Sequence, residues 1–178
     1  MNNPYSDEKS YMDDLEDFLK KYGFETWREV CPDNSRLRVD LIFYRNEFGF
    51  IAVEGKNLNS LRQGGKIAKA INQINKYKEL TFFNGIKIPK WCLTSPCTIP
   101  TICFNDDKKE EDRRLTSEMI HFIRNFIKTM WGLSFLEFRD CGSYKKIVID
   151  YLKTDSIHIS KYGIKGGLTK DGDSIPEL

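Results

Sequence analysis

Apolar residues at Tyr11, Met12, Leu15, Phe18, Leu19 and Tyr22 recur at intervals of three and four, the period of a helix that buries one face. With Ser6 as N-cap after Pro4 and Gly23 closing the run, the pattern predicts a first helix over about 7–22. Three segments rich in β-branched and aromatic residues follow: Phe24 to Val30, Leu37 to Tyr44 and Phe50 to Lys56. The turn-like stretches Cys-Pro-Asp-Asn-Ser and Arg-Asn-Glu-Phe-Gly separate them, which reads as an antiparallel meander. Residues 57–65 read as a loop, and Ile67, Ile71 and Ile74 mark a second helix ending near Leu80. Lys87 to Ser95 reads as a strand returning beside the meander. The first half is therefore α-β-β-β-α-β, a mixed β-sheet core flanked by helices, of the α/β class.

Past Pro96 the pattern changes. Asp107 and Glu110 have capping-box spacing, and Leu115, Met119, Ile123, Phe126, Ile127 and Met130 form the stripe of a long helix. Phe135 to Arg139 and Lys145 to Leu152 read as a hairpin over Cys-Gly-Ser, and the glycine-rich tail from Lys161 as loose chain. The organisation expected is a core over 1–96 and a C-terminal extension over 97–178 packed on the same domain. With Phe122 and Trp131, the helix stripe is wider than a coiled-coil seam. It suits burial on the core or on a second copy, and its width on 178 residues favours a homodimer.

Composition narrows the class. Hydrophobic residues at 40% and charged residues at 30% allow a core and exclude wholesale disorder. No apolar run approaches a membrane span, and the polar, acidic N-terminus is unlike a secretory signal, so no membrane partner and a cytoplasmic, intracellular location are expected. Short length and abundant lysine and asparagine would suit a viral or mobile-element protein in a host cytoplasm. Net charge is only +2, so a nucleic-acid partner has to be argued locally. Five cysteines without a CxxC pair and two distant histidines, His121 and His158, give neither a disulfide framework nor zinc-ligand spacing.

Chemistry concentrates in the hairpin. Residues two apart on a strand share a face, so Glu54 and Lys56 point together. If the turn centres on Glu47, paired positions sum to 94 and Asp40 stands opposite Glu54. Two carboxylates about 5 Å apart repel unless a cation lies between them, and hard oxygen ligands beside a lysine suit Mg²⁺ or Mn²⁺. At 100° per residue, Glu8 is the acid of the first helix closest to its buried direction, whereas Asp13 and Asp17 face away.

These residues, Val-Asp-Leu-Ile-Phe, then Val-Glu-Gly-Lys with thirteen residues between Asp40 and Glu54, resemble the PD-(D/E)XK nuclease superfamily. That superfamily includes restriction endonucleases, Holliday-junction resolvases and RecB-type exonucleases. The resemblance covers about residues 6–95 and implies a restriction-endonuclease-like fold and Mg²⁺-dependent hydrolysis of DNA phosphodiesters. Asp40 and Glu54 would hold the metal, Lys56 would orient or activate the attacking water, and Glu8 would complete the site. Gln73 and Tyr77 are similar to the Gln-x-x-x-Tyr element of the RecB-like branch.

Each assignment has a plainer counterpart. Asp40, Glu54 and Lys56 would otherwise be a solvated cross-strand ion pair, although the apolar setting of Ile-Ala-Val-Glu-Gly-Lys makes an unpaired acid costly. Glu8 would otherwise favour the helix dipole, and Gln73 and Tyr77 would be a surface pair one turn apart. Lys66, Lys69, Lys76 and Lys78, with Arg62 before them, give helix two a basic side that either follows a phosphate backbone or is merely solvated. Cys31, Cys92, Cys97 and Cys103 depart from iron–sulfur spacing and read as buried thiols. The alternative function is a catalytically idle DNA-binding or assembly module that keeps the nuclease fold.

Overall fold

The computed structural model describes residues 7–56, 64–95, 125–140, 143–150 and 156–166. The chain divides into two units, 1–96 and 97–178. Helix α1 (Glu8–Lys21) opens the first unit. Its N-cap is Asp7, whose side chain accepts a hydrogen bond from the Ser10 amide at 2.7 Å; Ser6, expected there, lies outside the described residues. An acid at this position also favours the positive end of the helix. Gly23, at φ 76°, supplies the left-handed backbone that ends the element.

Tyr11, Met12, Leu15, Phe18 and Leu19 are buried, as the three-and-four spacing requires. Each such apolar side chain contributes about 1.5–3 kcal/mol. Strands β1 (Glu25–Val30), β2 (Val39–Arg45) and β3 (Gly49–Gly55) form the antiparallel meander. Arg28 and Thr26 of β1 hold the polar side of α1, through Asp13 at 2.8 Å and Glu16 at 2.9 Å respectively.

Helix α2 (Gly64–Lys78) then carries the chain across to β4 (Lys90–Thr94), which runs parallel to β3. It begins earlier than the isoleucine spacing indicated, because Gly64 and Gly65 are already helical; the rest of the expected loop, 57–63, lies outside the described residues. Ala70, Ile71, Ile74 and Tyr77 are its buried face, and Tyr77 stacks on Trp91 of β4 at 5.8 Å. The α/β class is correct, with three antiparallel strands, a crossover helix and a parallel fourth strand.

In the second unit, 125–131 is helical, while Asp107, Glu110, Leu115, Met119, His121, Phe122 and Ile123 lie outside the described residues. The hairpin of β5 (Ser134–Asp140) and β6 (Lys145–Asp150) forms where its alternation indicated. The tail corrects the expectation. Residues Ser156–Ser160 form β7 and Gly163–Gly166 form β8, both paired antiparallel, so the chain from Lys161 to Gly166 is a turn and a strand and not loose. Ile157, Ile159 and Ile164 bury one face of this hairpin, and their alternation with polar residues was the signal for it. Among the described residues no helix is long and apolar enough to cross a membrane.

Candidate active site

The β2–β3 turn decides the geometry. Leu41 pairs with Val53 and Arg45 with Gly49, so paired positions sum to 94 and the same register brings Asp40 level with Glu54. Gly49, at φ 70°, and the Phe48 amide bonded to the Arg45 carbonyl at 3.0 Å close this short turn.

Glu54 is 1% exposed. Its Oε1 accepts a 2.6 Å hydrogen bond from Lys56 Nζ, while Oε2 is buried with no hydrogen-bond partner among the described residues. Burial, and next the Asp40 charge, push the Glu54 carboxyl up to about 7. Asp40 is half-buried; burial raises its pKa, although the Gly55 amide donates to its Oδ2 at 2.6 Å. Burial alone would lower the Lys56 pKa, but Glu54, Asp40 and Glu8 outweigh it and raise the value, so the side chain stays cationic.

Gly55 explains how α1 reaches this point. A Cβ there would lie 3.1 Å from Met12 Sδ, 3.4 Å from Asp40 Oδ2 and 3.5 Å from Glu8 Cγ. The missing side chain lets the start of α1 approach β3, and Glu8 comes to the edge of the carboxylate pair, where its charge is felt by both Glu54 and Lys56.

Gln73 and Tyr77 are brought to the same end of the sheet. Tyr77 donates its hydroxyl proton to the Arg38 carbonyl, two residues before Asp40, and accepts from Gln73 Nε2 at 2.6 Å. Burial first, then the charges of Glu54 and Asp40, raise the Tyr77 pKa. The pair is therefore no solvated surface contact, since Tyr77 is buried. Lys66, Lys69 and Lys76 are exposed along the adjoining side of α2, and Arg62 lies outside the described residues.

Three neighbours escaped the sequence reading. Glu29 stands level with Asp40 on the β1 side, in the register that pairs Arg28 with Leu41 and Val30 with Val39. It has φ 51°, uncommon for a non-glycine residue, and its charge adds to the upward shift of Asp40. Thr94 ends β4 beside Gly55 and shares a buried 2.6 Å hydrogen bond with the Tyr11 hydroxyl. Ser95 follows with a buried hydroxyl that has no hydrogen-bond partner among the described residues. Polar residues at the carboxyl end of an apolar strand were the available signal. Of the cysteines, Cys92 is buried as expected, but Cys31 is exposed, because the chain leaves the sheet there; Cys97 and Cys103 lie outside the described residues.

Could these side chains hold a divalent cation? Among the described residues no group of three or more His, Cys, Asp and Glu converges as a metal cluster. The two carboxylates nevertheless suit Mg²⁺, which is commonly bound by one or two carboxylates, waters and substrate phosphate oxygens. Glu54 Oε2, a buried acceptor without a donor among the described residues, is the atom such an ion would satisfy.

No family model and no curated protein matches the chain. Among solved structures, a protein of unknown function from Silicibacter pomeroyi is similar over 62% of this chain and 82% of its own, at 10% identity and a TM-score of 0.31.

Proposed function

We propose that the first unit is a metal-dependent nuclease centre of the PD-(D/E)XK type, with a restriction-endonuclease-like core, that hydrolyses DNA phosphodiester bonds with Mg²⁺ or Mn²⁺. One observation carries the reading: Glu54 is buried beside Asp40 with one oxygen on Lys56 and the other without a donor among the described residues. Lys56 answers one oxygen, and burying the other is costly unless it too meets a cation or a donor. An idle binding module would have no use for it.

When bound, the ion would supply Lewis-acid polarisation of the phosphoryl oxygens and neutralise developing charge. The chain's own groups do the remaining work. Asp40 and Glu54 present oxygen ligands, and the Gly55 amide fixes the Asp40 carboxylate. Lys56, still cationic, orients a water or holds charge on the phosphate. Glu8 adds a carboxylate at the edge. Tyr77, bonded to the backbone of Arg38, fixes the approach to Asp40, and Gln73 extends that contact outwards. Lys66, Lys69 and Lys76, with Arg62, would meet the DNA backbone from the side of α2.

The test is direct. Purified protein should convert supercoiled or single-stranded DNA in Mg²⁺ or Mn²⁺ and do nothing in EDTA. DNA left intact under both conditions ends the proposal.

A further inference from the structure

We propose that the outward side of β7 and β8, with the turn between them, is a binding surface for single-stranded nucleic acid in addition to the Asp40–Glu54 centre. Residues 143–150 and 156–166 contain four lysines against one acid, Asp150, in a chain whose net charge is only +2. This stretch is therefore locally basic.

Strand register places Lys146 and Lys165 on one side, together with Asp150, and Lys145 on the other. Lys146 stands opposite Ser160, and His158 stands opposite Val148 on one side and Lys165 on the other. Residues in register share a face. The opposite face carries Ile147, Ile149, Ile157, Ile159 and Ile164, all buried; on this side Val148 of β6 is buried too, so the outward part is that of β7 and β8. His158 and Lys165 are exposed there.

The β7–β8 turn adds aromatic rings to the basic row. Lys161 Nζ lies 4.9 Å from the ring centre of Tyr144 and 5.1 Å from that of Tyr162, and the two rings meet edge to face at 5.6 Å. Tyr162 is 66% exposed, the largest such fraction among the described large hydrophobic residues. A solvent-facing ring braced by a cation is pre-organised, because the lysine and the second ring hold it in place.

Lysines track a phosphate backbone, whereas an exposed ring face stacks on an unpaired base. The two together fit a single strand and not a duplex, whose bases are already stacked. An acidic peptide would answer the lysines but not the tyrosines.

The experiment is fluorescence anisotropy of a labelled oligothymidine with the full chain in EDTA, which removes cleavage from the readout. Lys161→Ala/Tyr162→Ala should weaken binding about fivefold or more. Lys146→Ala/Lys165→Ala should lower the slope of log affinity against log salt by about 0.7 for each cation removed. The conservative Lys161→Arg/Tyr162→Phe, which keeps charge and ring, should bind as wild type does, and melting curves check that each variant is folded. Wild-type affinity in both alanine pairs, no binding by the wild type, or a duplex competing as well as the single strand would overturn the inference. Binding through this face by a chain that cuts no DNA in Mg²⁺ would support it and end the nuclease reading, so the two fail separately.

Discussion

Glu54 carries opposing demands of burial and charge. Burial and the Asp40 carboxylate hold its pKa at about 7, against 4.5 for the free side chain. Between those values the folded chain binds a proton that the unfolded chain has released. The stability this supplies is complete below about pH 4.5 and is lost as pH rises through about 7. Asp40 is shifted in the same direction by its own burial; Lys56 opposes both shifts and Glu8 adds to that of Glu54. Glu54→Gln should therefore flatten the fall in melting temperature with rising pH in EDTA, with a gain at alkaline pH on the order of 2 kcal/mol. A pH–stability curve parallel to that of the wild type would show that Glu54 does not titrate in this way. Lys56→Ala separates two roles. Metal binding measured by calorimetry should survive, while cleavage falls about 10²-fold or more; loss of metal binding would instead make Lys56 part of the ion's pocket.

Among the elements, α2 is the one whose position the site depends on through Tyr77. Tyr77→Phe removes both hydrogen bonds of the hydroxyl and leaves the Arg38 carbonyl without that donor. A stability loss of about 1–2 kcal/mol is expected by chemical denaturation, with cleavage reduced further than stability alone explains. Unchanged cleavage at full folding would make the tyrosine purely structural. The β2–β3 register was legible because a short turn between alternating strands fixes pairing. The eight residues from Cys31 to Arg38 leave the β1–β2 register open, which is why Glu29 beside Asp40 went unseen. Close approach of α1 at Gly55 was likewise beyond a helical wheel, which gives direction but not distance. The β7–β8 hairpin was hidden by its glycines, which suggested loose chain, while its alternating isoleucines carried the opposite message.

For the whole molecule, the homodimer expected from the helix stripe can be tested. In its described part Ile127 is buried, whereas Phe126 is 37% and Met130 62% exposed. A homodimer remains our proposal for it. Light scattering at micromolar concentration should give twice the 20.8 kDa chain mass; the monomer mass would end the dimer without touching the nuclease proposal.

Asp40 and Glu54 are proposed to act together on a divalent ion to cut DNA. The measurement that reaches this most directly is the initial rate of DNA cleavage in saturating Mg²⁺ for Asp40→Asn beside the wild type, with folding of both verified by circular dichroism. Asparagine keeps the shape and the acceptor for the Gly55 amide but removes the charge, so the rate should fall to the level seen in EDTA. Cleavage by a folded Asp40→Asn chain at the wild-type rate would contradict the claim.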